Sequence, residues 1–158
     1  MMKMASNRGK LFEREFRKGL LLLPGMGIRL YDGTNVARIQ MPGDFIYAAC
    51  SGKTFLIECK STQENSFPYA NFQPHQLPDL MRWQIAGNGN RYGLVAIEFW
   101  KHKRTFLISP YDIAYEKNFG ERKSLTLDKA EQLGFEVKRF KDESGFAYTL
   151  GVLETGWK

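Results

Sequence analysis

The chain has 158 residues, of which 43% are hydrophobic, 25% are charged and 14% are aromatic. This length fits one domain over residues 1–158 that buries roughly 70% of the surface of the unfolded chain, so folding needs no disulfide or structural metal. No apolar run reaches the roughly 18 residues of a membrane span. We expect no signal peptide, because the run at residues 20–23 has no cleavage-site pattern.

Cysteine content and net charge narrow the class of protein further. Cys50 and Cys59 form no disulfide framework, and with His75 and His102 they show no zinc-ligand spacing. We therefore expect reduced thiols in a cytoplasmic protein. The formal net charge of +6 and the pI near 9.3 favour a polyanionic partner.

A helix is predicted over residues 7–23, with Asn7 as its N-cap and Pro24-Gly25 as its stop. Its apolar stripe has helical spacing and consists of Phe12, Phe16, Leu20 and Leu23. Glu13 lies beside the stripe, so it can face the sheet. Four basic residues share one side of the helix, as a solvated face or as a surface for a polyanionic partner: Lys10, Arg14, Arg17 and Lys18.

A short strand at residues 28–31 and a turn at 32–35 precede a predicted β-hairpin. Its strands are residues 45–49 and 54–57, joined by a turn at 51–53. The hairpin brings Asp44 back toward Glu58. Because strand side chains alternate, Glu58 and Lys60 share one face of the sheet.

Two carboxylates and an ammonium group at one place suit the hydrolysis of a phosphodiester. Close carboxylates repel by roughly 4 kcal/mol at 4 Å, and a magnesium ion removes that conflict by taking carboxylate, water and phosphate oxygens as ligands. Lys60 can then hold the attacking water or neutralise phosphate charge. The structural alternative is an ordinary ion pair on a strand and an aspartate in a turn. The apolar run before Glu58 favours the functional interpretation, because charges on a central strand need pairing or a task.

The remaining pattern predicts a mixed sheet flanked by helices. A polar loop at 61–73 leads into a helix at 74–86, and near-continuous apolar strands at 93–99 and 104–109 enclose a basic tip at 100–104. A short helix at 126–133 and a strand pair around Lys138 and Tyr148 complete the domain.

This order of elements resembles the PD-(D/E)xK nuclease superfamily, and within it the RecU family of Holliday-junction resolvases of bacteria and phages. The motifs that carry the resemblance are Asn7-Arg8-Gly9 with Glu13, Asp44, Glu58-Cys59-Lys60, Ser66-Phe67-Pro68, Asn71-Phe72, His75-Gln76, residues 106–108 and Arg122-Lys123-Ser124. The resemblance implies an α/β fold with a restriction-endonuclease-like mixed central β-sheet flanked by helices.

The resemblance also implies roles for individual residues. Asp44 and Glu58 would bind Mg2+, with Mn2+ as the alternative ion, and Lys60 would assist the water or the phosphate. Glu13 would have a further acidic role, and Gln76 would lie near the active site, with His75 either packing at the helix start or catalytic. Phe67 and Pro68 would shape a loop facing DNA or the dimer partner. The DNA-binding candidates are Arg8, Lys10, Arg14, Arg17, Lys18 and Arg38.

One departure concerns the stalk that the family inserts before its catalytic aspartate. Here only residues 31–43 are available, which is too short for a long helical stalk.

The leading hypothesis is a magnesium-dependent endonuclease that resolves four-way junctions as a homodimer in the cytoplasm of a bacterium or a phage-infected host. The alternatives are a general or branch-specific nuclease of the same fold and a DNA-binding protein without catalysis. The N-terminal segment and the helix carrying Trp83 are the candidate dimer interfaces.

Overall fold

A six-stranded mixed sheet organises the chain, with helices on both of its faces. The computed structural model of the protein describes residues 2–31 and 40–157, with side chains from residue 7 onward. Across the sheet the strands follow the order β1-β2-β3-β5-β6-β8. The strands among the described residues are β1 (Met26–Arg29), β2 (Phe45–Ala48), β3 (Thr54–Thr62), β4 (Ser66–Pro68), β5 (Arg91–Phe99), β6 (Arg104–Ile108), β7 (Ser124–Thr126), β8 (Phe135–Val137), β9 (Arg139–Asp142) and β10 (Gly145–Tyr148).

The helices pack against this sheet from two sides. Those of the described residues are α1 (Met2–Leu21), α2 (Gln76–Ile85), α3 (Pro110–Phe119), α4 (Leu127–Leu133) and α5 (Val152–Thr155). β3 and β5 run parallel at the centre, and the other pairs in the sheet are antiparallel. The predicted mixed sheet flanked by helices is therefore confirmed. No described helix is long and apolar enough to cross a membrane.

The predicted hairpin forms from β2 and β3, with Phe45 opposite Ile57 and Ala48 opposite Thr54. Its turn is closed by the Ala49 N–H, which donates to the carbonyl of Lys53 at 2.9 Å. β2 begins at Phe45, whereas β3 continues for five residues beyond Ile57. The second half of β3 thus extends past its neighbour, and this opening positions the site described below.

The face covered by α1 has an aromatic core. Phe12, Phe16 and Leu20 are fully buried at helical spacing, as their sequence pattern predicts. The Phe12 ring packs edge-on against Tyr148 of β10 at 5.5 Å, and Phe16 lies 5.9 Å from Phe45 of β2. Burying each such ring contributes about 1.5–3 kcal/mol, so this core fixes the helix over the sheet.

The opposite face is covered by α2 and α3. Leu77 and Leu80 of α2 lie in one apolar cluster with Leu56 of β3 and Ile97 of β5. Since Leu56 belongs to this cluster and Ile57 to the α1 cluster, successive residues of β3 point to opposite faces. Both faces of the central strands are buried, as their continuous apolar runs predict.

Several predicted boundaries are wrong. The first helix begins at Met2, so Asn7 lies within it and is not a cap. The residues before Asn7 include Met, Lys and Ala, which have high helix propensity, so the helix begins before Asn7. The first strand is Met26–Arg29, not 28–31. The predicted turn at 32–35 lies outside the described residues.

The predicted loop at 61–73 and the region after residue 109 also need correction. β3 extends to Thr62, and β4 pairs with β7 through Phe67 and Leu125. α3 was not predicted, although Ser109 accepts a hydrogen bond from the Tyr111 N–H and Pro110 occupies the first turn. Apolar side chains on both faces of this helix obscured its period.

Gly19 of α1 provides a test of the close packing between this helix and β10. A Cβ atom at Gly19 would lie 2.5 Å from the backbone oxygen of Tyr148. We expect Gly19→Ala to lower the free energy of unfolding by about 1–3 kcal/mol, although alanine has the higher helix propensity. Urea denaturation monitored by circular dichroism measures this change.

Gly9 is the matched control on the same helix. A Cβ atom there meets no atom of the described residues within 4 Å. Gly9→Ala should therefore raise the free energy of unfolding by up to about 1 kcal/mol. Equal effects of the two substitutions would contradict the close approach of α1 to β10.

Candidate active site

Asp44 stands where β2 meets the longer strand β3. Its backbone N–H donates to the carbonyl of Ile57 at 2.8 Å, which continues the ladder by one residue. Its carboxylate Oδ2 then accepts a hydrogen bond from the Cys59 N–H at 2.7 Å. The side chain therefore takes the place of a strand partner for β3, which fixes the carboxylate beside Glu58.

Glu58 and Lys60 point to the α2 face, as the alternation of β3 predicts. Lys60 Nζ lies 3.3 Å from Glu58 Oε1, and the two side chains are only 16% and 8% exposed. The Lys60 ammonium also lies 5.6 Å from the centre of the Phe72 ring. Cys59 between them is buried on the α1 face, where burial raises the pKa of its thiol.

Gln76 brings the start of α2 to the same carboxylate. Its Nε2 donates to Glu58 Oε1 at 2.8 Å, and its Oε1 accepts from the Gln73 N–H at 2.9 Å. The second hydrogen bond fixes the orientation of the amide, so the amide presents its donor to Glu58. His75 precedes the helix, makes no capping hydrogen bond through its side chain, and lines the same cavity.

Glu13 reaches the site from α1. Its Oε2 accepts a hydrogen bond from Arg29 of β1 at 2.5 Å. The Arg29 guanidinium lies 5.1 Å from the Tyr31 ring and 5.7 Å from the Phe45 ring. Arg29 thus compensates the charge of Glu13 and holds it at the edge of the sheet.

A cavity of about 460 Å³ unites these side chains and is here called the cleft. It opens between α1, β1 and the start of α2, beside the uncovered half of β3. Its lining includes Lys10, Glu13, Arg29, Asp44, Glu58 and Gln76. Most residues that the sequence predicts for an active site therefore line one open cleft. Lys60 is not part of this lining but contacts Glu58, which is.

The two carboxyl groups are held in an environment that disfavours their charges. Burial, with repulsion from Glu13, raises the pKa of Asp44 to about 6. Burial and repulsion from Asp44 raise the pKa of Glu58 to about 7. Lys60 opposes both shifts without cancelling them. Near neutral pH the pair consequently favours binding either a proton or a cation.

The donor set suits a hard divalent cation. Among the described residues, no group of three or more His, Cys, Asp or Glu side chains is arranged to hold a metal ion. Magnesium does not require such a group, because one or two carboxylates with water and phosphate oxygens commonly bind it. Asp44 and Glu58 supply two carboxylates, and the open cleft leaves space for water and substrate.

The four basic residues predicted on one side of α1 differ in their surroundings. Lys10 lines it, while Arg14 and Arg17 are exposed on the outer side of the helix. Lys18 donates to the backbone oxygen of Ser144 at 3.0 Å, so it is partly engaged within the protein. Lys10 therefore adds positive charge to the cleft, and Arg14 and Arg17 add positive charge to the exposed side of α1.

Arg8 is directed to the opposite flank of α1. Its Nε donates to the buried carboxylate of Glu98 at 2.8 Å, which makes Arg8 part of an internal ion pair. Arg38, the remaining predicted DNA contact, lies outside the described residues. The same is true of most of the segment expected to replace the stalk.

The side chain of Phe67 lies in the core of the protein. It is 1% exposed and packs edge-on against Phe72 at 5.2 Å, so its role is in the core beneath the α2 face. Pro68 is partly buried beside it. Both residues shape the site indirectly, through the backbone that leads to α2.

Arg29 and Glu98 are polar residues whose structural roles were not predicted from the sequence. The partner of Arg29 depends on the register of β1, in which Arg29 lies opposite Phe45 and next to Asp44. The role of Glu98 could have been predicted from the sequence, because Glu98 is a carboxylate within an apolar run and such a group needs a buried partner.

The fold has a counterpart among solved structures, while no curated protein sequence matches the chain. It is similar to Archaeoglobus fulgidus Hjc, described as a Holliday junction resolvase from an archaeal hyperthermophile. The TM-score is 0.57 at 17% sequence identity, over 81% of this chain and 95% of the Hjc chain. This similarity shows a shared fold and confirms the restriction-endonuclease-like architecture.

A sequence-family model matches the part of the chain that contains most of the residues lining the cleft. The family model RecU, described as Recombination protein U, matches residues 39–149. This segment is more than half of the chain and contains Asp44, Glu58, Lys60 and Gln76, whereas Glu13 precedes it. Because the match extends over five of the six strands of the main sheet and over α2, the chain belongs to the RecU family of Holliday-junction resolvases.

Proposed function

We propose that this protein is a divalent-cation-dependent endonuclease that resolves four-way DNA junctions as a homodimer in the cytoplasm. The observation that carries the proposal is the meeting of Asp44, Glu58 and Lys60 beside one open cleft, in a chain of the resolvase family. The net charge of +6 and the exposed cations of α1 support a polyanionic substrate.

Asp44 and Glu58 would hold the cation, Mg2+ or alternatively Mn2+. When bound, it would supply a Lewis acid that stabilises negative charge on the phosphate and lowers the pKa of water. Gln76 keeps one oxygen of Glu58 fixed by its hydrogen bond, so the carboxylate is oriented before substrate arrives. Glu13, held by Arg29, adds negative charge that strengthens the attraction of the cleft for a cation.

Lys60 is the group that acts on the reacting atoms. Its ammonium, held 3.3 Å from Glu58 Oε1, can donate a hydrogen bond to the attacking water or to a non-bridging phosphate oxygen. As water attacks phosphorus, a bridging P–O bond breaks and charge increases on the phosphate oxygens. An ammonium placed there before the reaction stabilises that charge without reorganisation.

A homodimer follows from the substrate geometry. Resolving a four-way junction requires two opposed strands to be cut, and a two-fold dimer presents two identical sites in matching orientations. The short segment at residues 31–43 favours one alternative, a branch-specific or general nuclease of the same fold. Competition between four-way, three-way, flap and linear duplex DNA distinguishes these activities.

Removing either carboxylate should abolish cutting. We expect Asp44→Asn and Glu58→Gln each to reduce cleavage of a labelled four-way junction to background, because neither variant retains both anionic ligands. Binding of the junction should stay within a fewfold of wild type, since the exposed cations remain. Gel assays with and without magnesium measure both properties.

Glu143→Gln is the control for this loss of charge, because Glu143 is an exposed residue of the β9–β10 turn. It should cut at the wild-type rate. Undiminished cleavage by both Asp44→Asn and Glu58→Gln would overturn the assignment of the site. Binding by wild type without any magnesium-dependent product would instead identify a DNA-binding protein without catalysis.

Gln76 should contribute through the orientation of Glu58. We expect Gln76→Ala to lower cleavage or cation affinity by roughly 10–100-fold, as for other residues that position a ligand. Gln132→Ala, an exposed glutamine of α4, is the control and should have no effect. A magnesium titration of the initial cleavage rate separates weaker cation binding from slower chemistry. An unchanged titration would exclude this role of Gln76.

The raised pKa values predict how the stability of the cation-free protein depends on pH. The pKa of each carboxyl group is higher in the folded protein than in the unfolded chain. The contribution of these two groups to the free energy of unfolding is therefore fully present below about pH 4 and is lost as pH rises through about 6–7. At pH 8, Asp44→Asn should therefore stabilise the cation-free protein by about 1–3 kcal/mol relative to wild type, and the gain should vanish near pH 4.

Thermal denaturation in EDTA across this pH range measures the difference between variant and wild type. Magnesium should raise the Tm of wild type more at pH 8 than at pH 5, because protons compete with the cation for the same carboxylates. A difference between variant and wild type that does not change with pH would contradict the raised pKa values.

A further inference from the structure

A second pocket lies on the other flank of α1 and has no role in the cleft chemistry. Its volume is about 310 Å³, and its walls include Trp100, Lys103, Lys138, Arg139 and Phe146. We call it the flanking pocket. It lies where the end of β5 and the start of β6 meet the β9–β10 hairpin.

The floor of the flanking pocket is a closed polar network. Glu98 is 2% exposed and accepts hydrogen bonds from Arg8, from Ser61 Oγ at 2.9 Å and from the Tyr148 hydroxyl at 2.8 Å. Thr105 Oγ1 donates to the same tyrosine oxygen at 3.2 Å. The charge of Glu98 is thus compensated, and the floor is rigid rather than acidic.

Two lysines at the rim are accessible to an anion. Lys103 has no ion-pair partner among the described residues, and Lys138 is 77% exposed with Glu136 at 3.2 Å as its partner. Lys103 also occupies the left-handed region, at φ 54° and ψ 39°. A lysine is strained there where glycine would not be, and strain of this kind is concentrated at functional sites.

Aromatic rings supply stacking surfaces beside these cations. Phe146 is 38% exposed, and the Arg139 guanidinium lies 3.6 Å from its ring centre. Arg139 is held in place by Glu15 through two hydrogen bonds of 2.7 and 2.8 Å. Trp100 lines the same pocket. Aromatic planes beside basic side chains are the means by which proteins bind unpaired nucleotides.

α1 separates the flanking pocket from the cleft, and two structural elements carry residues of both sites. Ser61, which bonds to the floor residue Glu98, directly follows Lys60 on β3. On α1, Arg8 points to the pocket and Lys10 to the cleft in roughly opposite directions, because successive helical residues are about 100° apart. Exposed Arg14 lies on the outer side of the helix, at an angle between these two directions.

We propose that the flanking pocket binds an unpaired nucleotide of the branched DNA substrate, across α1 from the DNA strand held in the cleft. The base stacks on the exposed part of Phe146 that the Arg139 guanidinium does not cover, and the phosphate meets Lys103 and Lys138. The inference rests on the proposed function for the identity of the substrate, and it adds a site outside the catalytic residues. A branch point supplies such nucleotides because its bases can leave the stack.

Lys103→Gly is the most informative variant. Glycine relieves the left-handed backbone, so the Tm should rise or stay unchanged while the ammonium is lost. Fluorescence anisotropy with a labelled four-way junction in EDTA should show weaker binding and a salt slope, log Kd against log salt, smaller by about 1. Lys138→Ala should reduce the slope equally. Lys117→Ala, an exposed lysine of α3, is the control and should change neither property.

Phe146→Leu tests stacking separately from charge. Leucine keeps an apolar side chain on β10 but removes the aromatic plane. Binding should weaken roughly tenfold with the salt slope unchanged.

The outcomes distinguish this inference from the proposed function, because binding in EDTA requires no chemistry. Wild-type affinity and salt slope in Lys103→Gly, Lys138→Ala and Phe146→Leu would overturn the flanking pocket as a DNA site. A wild-type protein that does not bind the junction would overturn it as well. Loss of binding in these variants alongside a wild type that never cuts would support the pocket while overturning the nuclease assignment.

Discussion

The hydrogen bond from the Cys59 N–H to the Asp44 carboxylate is the contact on which the site depends. β2 begins at Phe45, so the second half of β3 lacks a neighbour on that side, and the aspartate side chain supplies the first missing acceptor. A backbone donor in this position would otherwise be costly to leave unpaired. The same bond places a carboxylate beside Glu58, so the residue that ends the strand pairing also supplies a carboxylate to the proposed cation site.

The surroundings of Asp44 and Glu58 differ from those of the other acids near α1. Three other acids around α1 each meet an arginine: Glu13 meets Arg29, Glu15 meets Arg139, and Glu98 meets Arg8. Asp44 and Glu58 instead share Lys60 and repel one another. An arrangement that costs stability in the cation-free protein is expected where a ligand later compensates it, since functional sites commonly sacrifice stability.

α1 is the element that joins the different parts of the molecule. Its buried stripe fixes it over the sheet, its two flanks reach the cleft and the flanking pocket, and its outer side carries exposed cations. A helix supports three such tasks because its side chains project in all directions around the axis at 3.6 residues per turn. The close approach at Gly19 keeps these directions fixed relative to β10.

The sequence alone determined the hairpin, the shared face of Glu58 and Lys60, and the buried stripe of α1, because turn residues, strand alternation and helical spacing are local properties. It did not determine that α3 would form, since apolar residues on both faces hid the period. The hydrogen bond from Gln76 to Glu58, and the ion pair between Arg8 and Glu98, join residues 18 and 90 positions apart. Only tertiary structure decided these contacts, because strand order and register place distant residues together and no local pattern encodes that choice.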